Sequence, residues 1–379
     1  MLIVPSSNDV GYSVLMMDAF GYNYHVGIPN HPAGETFDGE TYVLVGPSLR
    51  LSEDAEWNAS ISAANATLIN LPHDYMVVIF RSDIYSENGT DLTQESNDFR
   101  SNLQLLNLTS YESQPDYGKT KIIPVEYYSA PFKVLHDTLV QETPITYLKM
   151  VQKALGSAIV PPLSDPERVI RDQFDAIFSN ENAWLCYAEF AAGAQGAFQD
   201  IVNNYLGSTD GNGWIHFVDI TQWNATSQQG RLNRASTTEY IQWANGIDTA
   251  AYYHTFVDSV GNPLDGSGGQ QYTITFNEIP EAERFWSVTA YTQNSVELIP
   301  NDADKYHVAS YTPGLEYDQD GSLTLYMSAI QPSGVSEANW LPLSTSNGPF
   351  NVMLRIYGVV PNSTIASNTY EPPPVVLAK

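Results

Sequence analysis

Cysteine is almost absent: Cys186 is the single one in 379 residues, so the sequence has no internal disulfide and must draw its stability from a core. Positive charge is scarce too, with 16 Lys+Arg against 43 Asp+Glu and a formal net charge of −27. That balance argues against nucleic acid and anionic membrane surfaces as partners, because both require clustered Lys and Arg. No apolar run reaches the roughly 18 residues of a membrane span, so no membrane insertion is expected. The opening "MLIVPSSND" is too short for a signal peptide.

The usual motifs of chemistry are missing as well. The seven histidines, His25, His31, His73, His136, His216, His254 and His307, never fall at H-x-H or H-E-x-x-H spacing, and no metal site is expected. There is no G-x-S-x-G elbow and no Gly-rich loop between a strand and a helix, so neither a serine nucleophile nor a bound cofactor is indicated. "YDQDGS" places its glycine directly after the second Asp, which breaks calcium-loop order and suits a hairpin turn at Asp320-Gly321. Cys186 sits in "NAWLCYAEF" between apolar and aromatic neighbours, as a buried structural thiol would.

What is present is a hydrophobic pattern that changes period twice. The first 140 residues carry strand-like runs, "YSVLMMDAFGYNYHVG", "ETYVLVGPS" and "YMVVIFRSDIY", with a short helix expected at "DFRSNLQLLNL". From Thr143-Pro144 the period becomes helical. Ile145, Leu148, Val151, Ala154 and Leu155 fall on one stripe, Ser164 and Glu167 form a capping box, and Gly207 closes the last helix. From about residue 210, "QYTITF", "RFWSVTAYT", "GSLTLYMSAI" and "FNVMLRIYG" alternate again. The pattern predicts a mainly β protein: two antiparallel β domains, sandwich-like or jelly-roll-like, at 1–142 and 210–379, joined by a helical connector at 143–209. The tail "YEPPPVVLAK" is expected to run extended over a surface or away from it.

The series "NPLDGSGGQQYTITF", "RFWSVTAYT", "DGSLTLYMS", "NWLP", "GPFNVMLRIYG" and "YEPPPV" resembles, in order, the family catalogued as domain of unknown function 1214. The upstream "LIVPSSNDVGYSVLMMDAFGYNYHVG", "TYVLVGPS" and "VVIFRSDIY" resemble its usual tandem partner, domain of unknown function 1254. The resemblance implies no settled activity. Members usually carry further strands ahead of the "LIVP"-like one, so a first domain beginning at Met1 is expected to have a segment missing or a place in its sheet left open.

Candidate functional residues are few. In "EANWLPLSTSNGPFNVMLRIYG", Phe350, Val352, Leu354 and Ile356 take one face of a strand and Asn351, Met353, Arg355 and Tyr357 the other. Asn339, Trp340, Arg355 and Tyr357 read either as a stacking and hydrogen-bonding surface for a sugar, or as a clasp in which Arg355 pairs an acid. Asp18, after "VLMM", is either a perturbed acid or a ligand of the backbone amides of the "AFG" turn. Sequons for N-glycosylation begin at Asn58, Asn65, Asn88, Asn107, Asn224 and Asn362, four of them within the first 110 residues.

Two functions are consistent with this sequence. One is a structural subunit of a secreted, N-glycosylated extracellular assembly, a filament or coat in which copies of the chain join head to tail through β edges or donated strands. In that reading the chain's partners are itself and its glycans. The other is a carbohydrate-active enzyme or carbohydrate-binding protein with its site between the two β domains.

Overall fold

The computed structural model describes residues 1–24, 28–48, 62, 65–86, 89–107, 132–217, 227–241, 243–247, 249–345 and 348–378. Two compact units emerge: Met1–Tyr127 with Ala154–Arg168, and Tyr128–Lys153 with Val169–Lys379. The described residues form four sheets and six α-helices, with strand and helix about equal in content, so "mainly β" holds only loosely.

The first unit holds β1 (Leu2–Val4), β2 (Tyr12–Met17), β3 (Asn23–Tyr24), β4 (Glu40–Val45), β5 (Thr67–Asn70), β6 (Val77–Ser82), α1 (Thr93–Asn102) and β7 (Gln104–Leu105). These strands make two sheets, ordered β5-β4-β1-β7 and β3-β2-β6. Tyr12 is buried at the centre, its ring packed on Phe37, Phe80 and Phe99, and Leu2, Val4, Val10, Tyr42 and Ile69 complete the cluster. Rings of this size remove large apolar areas from water, and such burial is what holds a small unit together. The helix expected at 98–108 lies a turn and a half earlier, because Leu103 is already extended and β7 begins at Gln104.

β1 is an interior strand. Leu2 faces Tyr42 on β4 and Leu105 on β7, and the Met1 amine donates to the Leu106 carbonyl at 2.6 Å. Pairing on both sides corrects the expectation of an open place beside "LIVP".

The helices that follow are α2 (Phe132–Glu142), α3 (Pro144–Leu155), α4 (Asp165–Phe178) and α5 (Tyr187–Leu206). Pro144 takes the first position of α3, where its missing N–H costs nothing. Glu167 accepts from both the amide and the hydroxyl of Ser164, at 2.9 and 2.7 Å, closing the capping box of α4. Gly207 ends α5 with right-handed backbone. A side chain there would come within 2.7 Å of the Asn203 carbonyl, so close approach and not a left-handed turn calls for glycine.

The remainder comprises β8 (Trp214–Ile215), α6 (Gln228–Ile241), β9 (Ala250–Thr255), β10 (Tyr272–Phe276), β11 (Phe285–Thr292), β12 (His307–Ala309), β13 (Leu323–Ser328), β14 (Trp340–Pro342), β15 (Phe350–Tyr357) and β16 (Val376–Leu377). The sheets run β12-β11-β15-β9-β8 and β14-β13-β10-β16. One core draws Val288, Ile274, Leu325, Val352, Leu354 and Ile356 from strands of both sheets.

Three features differ from the sequence reading. α6 interrupts the stretch expected to be β throughout: Ser227 caps it through the Gly230 amide, but its buried face is Gly230, Ser236, Thr237 and Tyr240, too small and polar to print an apolar stripe. Two of the four sheets are mixed, because β5 runs parallel to β4 and β14 parallel to β13. Asp320-Gly321 forms a tight turn closed by Asp318 and Ser322, yet only its outgoing arm is a strand.

Cys186 is exposed, which corrects its reading as a buried thiol. Ala183–Cys186 is a single 3₁₀ turn ahead of α5, and its three-residue period turns Trp184 and Leu185 outward with it. The tail is not free either. The Asn212 amide and the Trp214 ring N–H donate to the carbonyls of Pro372 and Pro373, and Val376 and Leu377 pair with Thr273 and Tyr272 as an outer strand.

Candidate functional site

β15 lies between β11 and β9, and both of its faces are covered along most of its length. Phe350, Val352, Leu354 and Ile356 enter the core. On the other face Arg355 stands opposite Ser287 on β11 and Tyr252 on β9, and Tyr357 opposite Phe285 and Ala250. The guanidinium carbon lies 5.4 Å from the centroid of the Tyr291 ring, a cation–π distance. Burial works against its charge, but Tyr291, Tyr357 and Tyr252 around it more than offset that and hold its pKa above the ordinary arginine value. Among the described residues no carboxylate pairs with Arg355, and tyrosines stand where the clasp reading places an acid.

Asn339 and Trp340 belong to the other sheet. The Asn339 carboxamide accepts from the Glu316 amide at 2.9 Å and donates to the Glu316 and Thr324 carbonyls at 2.8 and 3.0 Å. The Trp340 ring N–H donates to the Ser328 carbonyl at 2.9 Å. These residues fasten a loop to β13. The structure therefore does not bring the four residues of the quoted stretch into one site.

A residue that the sequence reading passed over lies at the buried centre of the same sheet face. His254 on β9 is fully enclosed, with its Nδ1 2.9 Å from the Tyr205 hydroxyl of α5 and its Nε2 2.7 Å from Oδ1 of Asn351. Asn351 donates in turn to the Thr292 carbonyl at 3.2 Å, which fixes the orientation of its amide. Burial pulls the imidazole pKa down to about 3, and the Arg355 charge acts in the same direction, while the Asn351 bond resists them. The ring is therefore neutral, with its proton on Nε2 facing Asn351 and Nδ1 accepting from Tyr205.

A cleft of about 490 Å³ opens between α2, α5, α6 and the end of the five-stranded sheet, lined by Gln141, Gln199, Gln293, Phe198, Tyr240 and Phe256 among others. At one wall Lys133 donates to Asp137 at 2.7 Å and to Glu239, and its ammonium lies 5.1 Å from the Tyr240 ring centroid. His136 approaches Asp137 at 3.3 Å and Glu239 at 3.5 Å. Burial raises the Glu239 carboxyl above its usual range against the pull of Lys133. Burial would raise Asp137 too, but hydrogen bonds from His136 and Lys133 outweigh it and hold it low. His136, Asp137 and Glu239 present ligand atoms within 4.8 Å of one another, as a cation site would. The Lys133 ammonium already supplies the positive charge between the carboxylates, so the cluster is complete as an ion network.

In the first unit Asp18 is buried. Its Oδ1 accepts from the amides of Phe20 and Tyr22 at 2.8 and 3.1 Å, and its Oδ2 from the Tyr24 hydroxyl at 2.8 Å, with His73 Nε2 3.4 Å away. Among the sequons, Asn65, Asn107 and Asn362 are exposed, and Asn65 and Asn362 take left-handed backbone in turns, a conformation asparagine tolerates. Asn58, Asn88, Asn224 and His25 lie outside the described residues.

The lysine–carboxylate network carries one signal legible in the sequence, the i,i+4 pair Lys133 and Asp137. Glu239 lies 106 residues from Lys133, and no spacing could bring it in.

Residues 249–361, which carry β9 to β15, match the family described as "Protein of unknown function (DUF1214)". The whole chain aligns with the crystal structure of the VPA0106 protein from Vibrio parahaemolyticus at a TM-score of 0.56 and 18% identity, over 85% of that chain, a likeness of fold. An uncharacterized protein from Burkholderia cenocepacia aligns over 64% of this chain and 50% of its own at 13% identity, and its TM-score of 0.29 carries no structural inference. Comparison with curated proteins returned no match.

Proposed function

We propose that this chain is a structural subunit of a secreted, N-glycosylated assembly in which copies join through a β edge. The observation that carries the reading is β6, whose six residues make it the longest outer strand among the described sheets. Its sequence, VVIFRS, is apolar over the first four positions, and Val77 is 42% exposed. Long apolar edges invite another strand, and proteins that stay monomeric blunt them with charge, bulges or proline. Head-to-tail addition at such an edge builds a filament unless the rotation between copies closes a ring.

A second surface supports the same reading. Ile170 and Ile177 on α4, with Trp184 and Leu185 in the following turn, are 59%, 51%, 63% and 62% exposed, the kind of apolar surface that contacts between subunits cover. The sequons in exposed turns fit a secreted chain whose glycans limit uncontrolled association. A tandem of the 1254-like and 1214-like domains, each a β-sandwich in its finer architecture, is part of this reading.

Electron microscopy and sedimentation of protein from its native source test the proposal. A regular filament repeat that disappears in Val77→Lys supports it. A monodisperse monomer at all concentrations ends it.

The cleft beside Lys133 favours a second reading, a carbohydrate-binding protein, because amide side chains and aromatic rings together suit polyhydroxylated ligands. Calorimetric titration with maltotriose, cellotriose and chitotriose tests it. Absence of heat with all three removes it.

A further inference from the structure

Arg355 is out of place in a chain of this composition. With 43 acidic residues against 16 Lys and Arg, a carboxylate should be easy to find, yet among the described residues none pairs with its guanidinium. Its side chain stands on the face of β15 turned away from the core, in register with Ser287 and Tyr252, with Tyr357 two residues along the same face. The Tyr291 ring closes one side at 5.4 Å. Arg355, Tyr291 and Tyr357 are each intermediate in burial, so none of the three residues is fully enclosed. Phe285 packs on Tyr357 at 4.5 Å and on Tyr311 at 5.2 Å, and the Tyr311 hydroxyl meets His307 Nε2 at 3.3 Å, which adds aromatic rings and an imidazole to the surround.

A half-buried guanidinium without a counter-charge is costly, and a cation–π contact returns only part of that cost. Five N–H donors in a planar fork match one kind of partner best, a planar carboxylate held by two parallel bonds. One other cation lies near. Burial lowers the His307 pKa, and the charges of Lys305 and Arg355 act in the same direction, while the Lys305 ammonium donates to the backbone carbonyls of Glu337 and Ala338. A second cation close to the guanidinium favours an anion at this spot over a neutral face.

We propose that Arg355, framed by Tyr291, Tyr357 and Tyr252, is a binding site for a carboxylate. The carboxylate sits against the guanidinium fork, and the tyrosine rings wall it from bulk water. A small carboxylic acid and an acidic sugar of the uronate type both offer the group, and the half-exposed rings of Tyr357 and Phe285 would add stacking contact to the second.

Thermal melts and isothermal titration of the full chain at constant ionic strength, with chloride replaced by acetate or by glucuronate, test the site. The wild type should show Tm rising with the logarithm of acetate concentration, and Arg355→Gln should lose that dependence. Arg355→Lys, which keeps the charge but not the fork, should bind acetate at least tenfold more weakly. Tighter binding of glucuronate than acetate identifies an acidic sugar, and equal binding identifies the carboxylate alone. Should Arg355→Gln fail to fold, titration of the wild type and Tyr357→Phe still decides. No heat with either anion, or an acetate response in Arg355→Gln equal to that of the wild type, overturns the proposal.

Discussion

The Tyr205 hydroxyl donates to Nδ1 of His254 at 2.9 Å, and this buried bond ties helix α5 to strand β9. It exists only while the imidazole is neutral, because a protonated Nδ1 has no lone pair to accept it. The Asn351 bond on the other nitrogen completes the ring's needs, so the fold has selected one charge state of a residue that ordinarily titrates near neutrality.

That selection makes stability depend on pH. The folded pKa of about 3 lies below the ordinary 6.5, so between those values the unfolded chain binds a proton that the fold refuses. The contribution of His254 is complete above about pH 6.5 and is lost as pH falls toward 3, at about 1.4 kcal/mol per pH unit. Urea midpoints at pH 7, 6, 5 and 4 should fall more steeply in the wild type than in His254→Gln. Parallel slopes would show that the ring is not held neutral.

Lys133→Met should destabilise the second unit by about 3–5 kcal/mol at neutral pH, because Asp137 and Glu239 would lose the cation between them. Adding Glu239→Gln should recover part of the loss, since the remaining carboxylate then has no like charge beside it. Chemical denaturation of both single variants and the pair measures the coupling, and strict additivity would refute the network.

Asn339→Ala should cost about 1–3 kcal/mol and lower Tm, because the Glu316 amide and the Glu316 and Thr324 carbonyls lose their side-chain partner. A melt indistinguishable from wild type would mean that water replaces the carboxamide at no cost.

Cys186 offers a probe of assembly, as it is exposed beside Trp184 and Leu185. The thiol should react stoichiometrically with a maleimide in the free subunit and be protected in any assembly that covers this surface. Equal labelling before and after assembly would place the contacts elsewhere.

Glycans are expected on Asn65, Asn107 and Asn362, which are exposed. Intact mass before and after enzymatic deglycosylation of native-source protein checks this, and an unchanged mass removes the secretory part of the proposal.

The sequence by itself determined the features that depend on neighbours along the chain. The alternation of Phe350, Val352, Leu354 and Ile356 marks β15, and the Ser164–Glu167 capping box marks the start of α4, because strand pleat and helix cap are set within a few residues. Strand direction lies outside that range: nothing local distinguishes a parallel β5 or β14 from an antiparallel one. α6 leaves no apolar stripe because its buried face is largely small and polar, and the exposure of Cys186 departs from the pattern of its neighbours because one 3₁₀ turn rotates side chains off a helical stripe. Tertiary structure alone decided the partners of the polar residues. It set Lys133 against Glu239, enclosed His254 between Tyr205 and Asn351, and gave Arg355 tyrosines in place of an acid. Burial and charge pairing are summed over residues distant in sequence, and only the folded chain brings those terms together.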